Sequence, residues 1–330
     1  MRSQALPLVG LARPLLAERV FVLASRLTAL VLLSALLAAM SPHFLTATNL
    51  MNVLRQGALQ FIMASGLTLC VLTGGIDLSV GAVLGLSACL GAALVSAGHV
   101  TAGVAAALAA GTMCGAVNGL MVAWLRLPAF IATYGMLWIA HGLGYVFMKG
   151  EVIHGFPAGF RTLGAGFAGV LPVPVLVMLG LLVCLHVLLH HTPFGRALYA
   201  IGGNPVAARL SGMPVRRHLV IAYTLSGALA AFAGLVVIAR VNAADSGIGE
   251  DLLLASIAAV VLGGTSLFGG VGGVAGTAVG SLILALVVNG MNLLSVKTFW
   301  QPFVLGSIVI VSVLADQLVG RTRAGLVITS

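Results

Sequence analysis

Apolar runs follow one another along the chain at residues 20–40, 51–72, 78–97, 102–125, 130–148, 172–190, 219–239, 252–267, 272–294 and 299–318, separated by short polar breaks. A spanning helix needs about 20 apolar residues at about 1.5 Å of rise each. Lipid offers no water to unpaired backbone amides, so each run must satisfy its own hydrogen bonds as a helix. The runs therefore predict an all-α polytopic membrane bundle of about ten transmembrane helices. Composition agrees: 60% of residues are hydrophobic and only 7% charged, against about 25% charged in soluble domains. The first run follows basic residues but exceeds the apolar core of a signal peptide, about 7–15 residues, and is expected to remain as an uncleaved helix. The organisation expected is a tail at 1–19, one membrane domain at 20–318 with a long internal loop at 192–218, and a tail at 319–330.

The net charge is +9, and its distribution matters more than its size. With the N-terminus inside, one side receives Arg2, Arg13, Arg19, Arg26, Arg126, Arg196, Arg209, Arg216, Arg217, Arg321 and Arg323, against Glu18, Asp77 and Asp316. The other receives Arg55, Lys149, Arg161, Arg240 and Lys297, almost balanced by Glu151, Asp245, Glu250 and Asp251. Arginine and lysine accumulate on the cytoplasmic face of membrane proteins, so both tails and the 192–218 loop are expected there. The basic balance thus reports orientation beside membrane lipid, and no nucleic-acid partner is expected.

Catalytic chemistry finds little support. A phosphate-cradling loop needs Gly-Lys-Ser/Thr, yet the only lysines, Lys149 and Lys297, do not follow glycine. Cys70, Cys89, Cys114 and Cys184 lie in apolar runs without CxxC spacing and read as small core residues. His186, His190 and His191 share the HxxxHH spacing of a di-iron histidine box, but such a site needs several boxes, and the remaining histidines are isolated. They read as polar tips at a helix end. No catalytic residue, metal site or cofactor is expected.

The polar residues that remain have structural readings beside functional ones. Asp77 precedes the third run and reads as a helix cap, with substrate contact as the alternative for an acid near the bilayer core. Asn118 and Asn289 lie deep in apolar helices, where an unpaired amide costs several kcal/mol; interhelical bonding and a polar path suit them equally. Within 192–218, Asn204-Pro205 followed by 206–211 and Gly212 spells a short helix with an Asn cap, Pro in the first turn and a terminating Gly. Gly202 and Gly203 read as a break before it. Four-residue glycine spacings (Gly81/Gly85, Gly111/Gly115/Gly119, Gly269/Gly273, Gly272/Gly276/Gly280) favour close helix packing within the chain over a dimer face. A short likeness between 74–79 and 263–268 suggests two related halves.

Several blocks together resemble a known family. These are Gly74-Gly75-Ile76-Asp77-Leu78-Ser79-Val80-Gly81, Asn118-Gly119-Leu120, Pro128-Ala129-Phe130-Ile131-Ala132-Thr133, Thr192-Pro193-Phe194-Gly195-Arg196, Tyr199-Ala200-Ile201-Gly202-Gly203-Asn204, Ala207-Ala208-Arg209-Leu210-Ser211-Gly212 and 257–267. From about Phe44 to Asp316 the chain is similar to the ribose/xylose-type monosaccharide permeases of bacterial ATP-binding-cassette (ABC) transporters. The resemblance implies a subunit of the bacterial inner membrane, paired with a second permease copy, fed by a periplasmic sugar-binding protein and driven by a cytoplasmic ABC ATPase. It further implies that Arg196, Gly202, Gly203, Asn204, Ala207, Ala208, Leu210, Ser211 and Gly212 form the element that couples to the ATPase. On that reading, tryptophan at Gly203 or Ala208 uncouples ATP hydrolysis from transport. Asp77, Asn118 and Asn289 are its candidate pathway residues. The chain departs from the family where many relatives carry Gly-Tyr-Glu-Leu-Asp; it has Leu252-Leu253-Leu254-Ala255-Ser256, with Glu250 and Asp251 earlier. Branched-chain amino acid or nucleoside permeases and ion-coupled transporters are the competing readings.

Overall fold

A computed structural model describes the backbone of residues 9–328 and the side chains of residues 24–314. In chain order the helices are α1 (Val9–Met40), α2 (Ala47–Leu72), α3 (Val80–Ser96), α4 (Val100–Ala123), α5 (Ala129–Met148), α6 (Ala158–Ala165), α7 (Val173–His191), α8 (Pro193–Gly203), α9 (Pro205–Leu210), α10 (Val215–Val241), α11 (Glu250–Leu262), α12 (Val274–Leu293) and α13 (Gln301–Ile328). Four two-residue strands lie in the loops after α5, α6 and α10, and a 3-10 turn at Thr298–Trp300 precedes α13. The strands are β1 (Ile153–His154), β2 (Phe167–Ala168), β3 (Leu171–Pro172) and β4 (Ala243–Ala244). Antiparallel pairing of β1 with β4 ties the α5–α6 connection to the end of α10. The molecule is an all-α membrane bundle. Every apolar run predicted from sequence falls on one of its helices, and α4, α5, α7, α10 and α12 are each long and apolar enough to cross a membrane unaided.

Helix α2 is the hub. It is buried almost without interruption from Gly57 to Leu72 and packs against α7, α8, α10, α11 and α12. Polar side chains bond it sideways: Gln60 Nε2 donates to Ser256 Oγ at 3.0 Å, and the Thr68 and Thr277 hydroxyls meet at 2.8 Å. In a bilayer, where apolar contact alone gives helices little reason to associate, such bonds and close backbone packing hold the bundle.

The glycine spacing does its work inside the chain. A Cβ at Gly115 would lie 2.3 Å from the Tyr223 carbonyl oxygen, and one at Gly111 would lie 2.5 Å from that of Gly227. Helices α4 and α10 therefore meet backbone to backbone. The same holds where Gly276 and Gly280 of α12 face the carbonyls of Gly263 and Ala259.

Helix α1 begins at Val9 and α13 continues to Ile328, so helix extends into both segments expected as tails; residues 1–8 and 329–330 lie outside the described residues. Other expectations are corrected. The run at 252–267 stops at Leu262, because Gly264 turns into the left-handed region (φ +71°). Helix α11 is thus only 13 residues long, about 20 Å at the usual rise, short of a full crossing. Cys184 is exposed on α7, whereas the other three cysteines are buried as expected. The internal likeness also shifts by one position. Gly74 and Gly264 both have positive φ, and the next residues, Gly75 and Thr265, each donate to the carbonyl five residues back. Sequence alone had matched Gly74 with Gly263.

Candidate functional site

Two interruptions organise the interior: residues 73–79 between α2 and α3, and residues 263–273 between α11 and α12. The first carries Asp77, 1% exposed. Its Oδ1 accepts from the Ser79 backbone N–H at 3.0 Å and the Ser79 hydroxyl at 2.6 Å, while Oδ2 accepts from the Ser226 hydroxyl of α10 at 2.9 Å. Ser79 Oγ in turn accepts from Asn118 Nδ2 of α4 at 2.8 Å. Asp77 thus accepts a free backbone N–H at the start of α3, as expected of a cap, though the regular helix begins after Ser79; it also stitches the break, α4 and α10 together. Thr133 of α5 adds a fourth element by donating to the Ile76 carbonyl at 3.2 Å. Among the described residues, Asn118 Oδ1 and the Tyr223 hydroxyl in this region are buried without a partner.

Depth follows from the packing. A Cβ on Gly85 would sit 3.4 Å from the Ser246 carbonyl, and one on Gly144 would sit 4.0 Å from Ser246 Cβ. Gly85 of α3 is thus level with Gly144, about 22 Å along α5, and α3 begins about 15 Å along it. Ile76, next to Asp77, meets Thr133 about 6 Å along α5, so the Asp77–Ser79 turn lies inside the bundle in the half nearer the start of α5. A charge-bearing group buried there requires hydrogen bonding, and the three bonds from Ser79 and Ser226 supply it.

Asn289 is elsewhere. It exchanges two hydrogen bonds with Asn49, donating at 2.7 Å and accepting at 3.1 Å, and so joins α12 to the start of α2. Nothing brings it to the Asp77 cluster. Of the three polar positions singled out from sequence, Asp77 and Asn118 share one network and Asn289 belongs to another. Ser226, Ser79 and Tyr223 were missed because serine and tyrosine in apolar runs carry no distinctive spacing.

The 192–218 segment is two helices rather than one. Thr192 accepts from the Gly195 N–H at 3.2 Å and starts α8; Asn204 accepts from the N–H groups of Val206 and Ala207, both at 3.0 Å, and starts α9. Gly202 and Gly203 form the last turn of α8 rather than a break, and Gly212 (φ +79°) ends α9 as expected. Ala208 is buried against Ile201 and Val215. Tryptophan at Ala208 would therefore disrupt this local core, so it does not serve as a probe of docking. Gly203, Val206, Arg209 and Leu210 face outward, with Leu210 83% exposed.

Contacts run from α8 into both interruptions. A Cβ at Gly202 would lie 2.0 Å from the Leu72 carbonyl at the end of α2 and 2.4 Å from the Gly270 nitrogen. Gly270 N–H itself donates to Leu72 O at 2.9 Å, and the Tyr199 hydroxyl of α8 donates to Gly272 O at 2.9 Å. Helix α8 is thus in direct contact with the end of α2 and with the 263–273 interruption.

These features, a broken-helix membrane bundle with a compact helical pair at one end, define a polytopic permease. The description "branched-chain amino acid transport system / permease component" matches residues 49–313, and the chain belongs to that family. The ribose import permease protein RbsC of Escherichia coli K12 is 43% identical over 295 residues, covering 88% of this chain and 92% of that one. RbsC of Bacillus subtilis is 42% identical over 87% of this chain and 90% of its own, and the D-allose transport system permease protein AlsC of Escherichia coli is 35% identical over 88% and 90%. No solved structure gives a significant match.

Proposed function

We propose that the chain is the membrane-spanning permease subunit of an ATP-binding-cassette importer that carries a monosaccharide, ribose or a close analogue, into the cytoplasm across the bacterial inner membrane. The observation that carries this reading is 43% identity across nearly the full length of a ribose import permease. Amino acids appear in the family's description, but the relatives named above move sugars, which favours sugar over the amino acid reading. ATP is hydrolysed by a separate cytoplasmic subunit, a periplasmic binding protein delivers the sugar, and a second permease copy completes the path.

Ten helices, α1–α5, α7 and α10–α13, provide ten passes, the shorter α3 and α11 reaching across with the help of their flanking loops. The matching ends of α2 and α11 support two related halves, as in many transporters with broken helices at the bilayer midplane. Helices α8 and α9 are the coupling element. Their outward residues Gly203, Val206, Arg209 and Leu210 meet the ATPase, and the contacts of Gly202 and Tyr199 pass its movement to residues 73–79 and 263–273. The Asp77 network then acts as the fixed joint of α3, α4, α5 and α10 around which the path opens.

Uptake of labelled ribose, allose and galactose tests this directly. In cells supplying the cognate ATPase and binding protein, loss of this chain is expected to lower uptake of one of these sugars by at least tenfold, with plasmid-borne chain restoring it. Unchanged uptake of all three, with loss of leucine uptake instead, would overturn the sugar assignment.

A further inference from the structure

Helix α5 carries an aromatic stripe that lies exposed among the described residues. Successive rings of Phe130, Tyr134, Trp138, His141 and Tyr145 lie 5.8, 6.3, 6.0 and 4.6 Å apart, a continuous ladder along about 22 Å of helix. Phe130, Tyr134, Trp138 and Tyr145 are each about half exposed or more. Beyond the ladder the exposed arc of the helix continues through Ile131, Ile139, Leu143, Val146 and Phe147, a mainly aliphatic face.

The ladder runs past an exposed carboxylate. His141 Nε2 lies 3.3 Å from Glu250 Oε1, and that carboxylate, at the first residue of α11, is 55% exposed. His141 is about 18 Å from the start of a 30 Å helix, so the pair sits well below the outer end of α5. A half-exposed carboxylate at that depth is expensive in hydrocarbon, and such groups face water-filled cavities. The aliphatic face bears no ionisable group and suits lipid or a partner helix.

We infer that the α5 ladder, with Glu250, lines the water-filled path and forms a sliding site for the sugar ring, Trp138 stacking on its C–H face while the Glu250–His141 pair takes its hydroxyls. The chemistry fits a polyhydroxyl ring: one apolar face for an aromatic ring and a rim of hydroxyls for a carboxylate and an imidazole. This inference rests on the importer reading for its ligand, but not for the presence of water.

The test uses the full transporter in cells, with Cys184, the exposed native cysteine, changed to serine. Single variants Trp138→Cys and Tyr145→Cys are expected to react with a small membrane-impermeant thiosulfonate, whereas Val183→Cys, on the exposed apolar face of α7, stays unreactive. Labelled ribose, allose and galactose then probe the ligand: Trp138→Ala is expected to lower uptake of the transported sugar at least tenfold, and Trp138→Phe to restore most of it, at equal membrane levels. Unreactive thiols at 138 and 145, or their cross-linking to a second copy in place of labelling, would overturn the inference. So would full uptake by Trp138→Ala. Labelling as expected, in a transporter that takes up none of the three sugars in wild-type form, would instead retain the aqueous path and reject the sugar.

Discussion

Replacing Asp77 with leucine is expected to remove the chain from the membrane almost entirely, while asparagine at the same position keeps it folded. The carboxylate accepts three hydrogen bonds, two from Ser79 and one from Ser226, in a site 1% exposed. Leucine leaves two hydroxyls and a backbone N–H to find other partners inside the bundle. At about 1–3 kcal/mol for each buried unsatisfied group, the loss is several kcal/mol, comparable with a typical stability margin of about 5–15 kcal/mol. Asparagine retains an acceptor oxygen for Ser79 and costs one bond to Ser226. Quantifying the tagged chain in isolated membranes, with its melting point in detergent, checks both variants. Equal levels of the leucine and wild-type chains would show that the network does not hold α3, α4 and α10 together.

Gly203→Trp is expected to abolish transport by a different route. A Cβ at Gly203 meets nothing within 4 Å, so the indole extends from the surface without disturbing α8. If this surface seats the ATPase, uptake falls more than tenfold and sugar-dependent stimulation of ATP hydrolysis disappears, while membrane levels and melting stay at wild type. Gly203→Ala, which adds only a methyl, is expected to transport normally. Ala208→Trp fails as a control for docking, because it also breaks the packing with Ile201 and Val215. Wild-type uptake by Gly203→Trp in a fully expressed transporter would remove this face from the coupling interface.

Periodicity and composition were enough to place a helix on each long apolar run, since such runs in lipid have little choice of secondary structure, but they did not show α6, α8 or the early end of α11. The Asn204 cap and the Gly212 stop of α9 were legible because each depends on a local residue type. The ends of α2 and α11 were legible only in part: glycine pairs mark them, but which glycine takes positive φ is set by the loop beyond. Gly202 shows the limit more sharply. Its sequence context reads as a linker, yet it is a helical residue made obligatory by the Leu72 carbonyl, a contact across more than a hundred residues. Asn289 and Asn118 look alike in sequence, and only their distant partners, Asn49 and Ser79, separate them. The α5 ladder is written in the sequence at helical spacing, but its meaning depends on Glu250, which the β1–β4 pairing and the descent of residues 245–249 bring beside it.

The account turns on α8 and α9 lying at the cytoplasmic face and moving with a separate motor. Cysteine introduced at Leu210, the most exposed large apolar side chain described, measures this in a Cys184→Ser background. The expected result is no reaction with an impermeant maleimide in intact cells, full reaction after permeabilisation, and strong protection when the ATPase is bound. Labelling of that cysteine from outside intact cells would contradict the account.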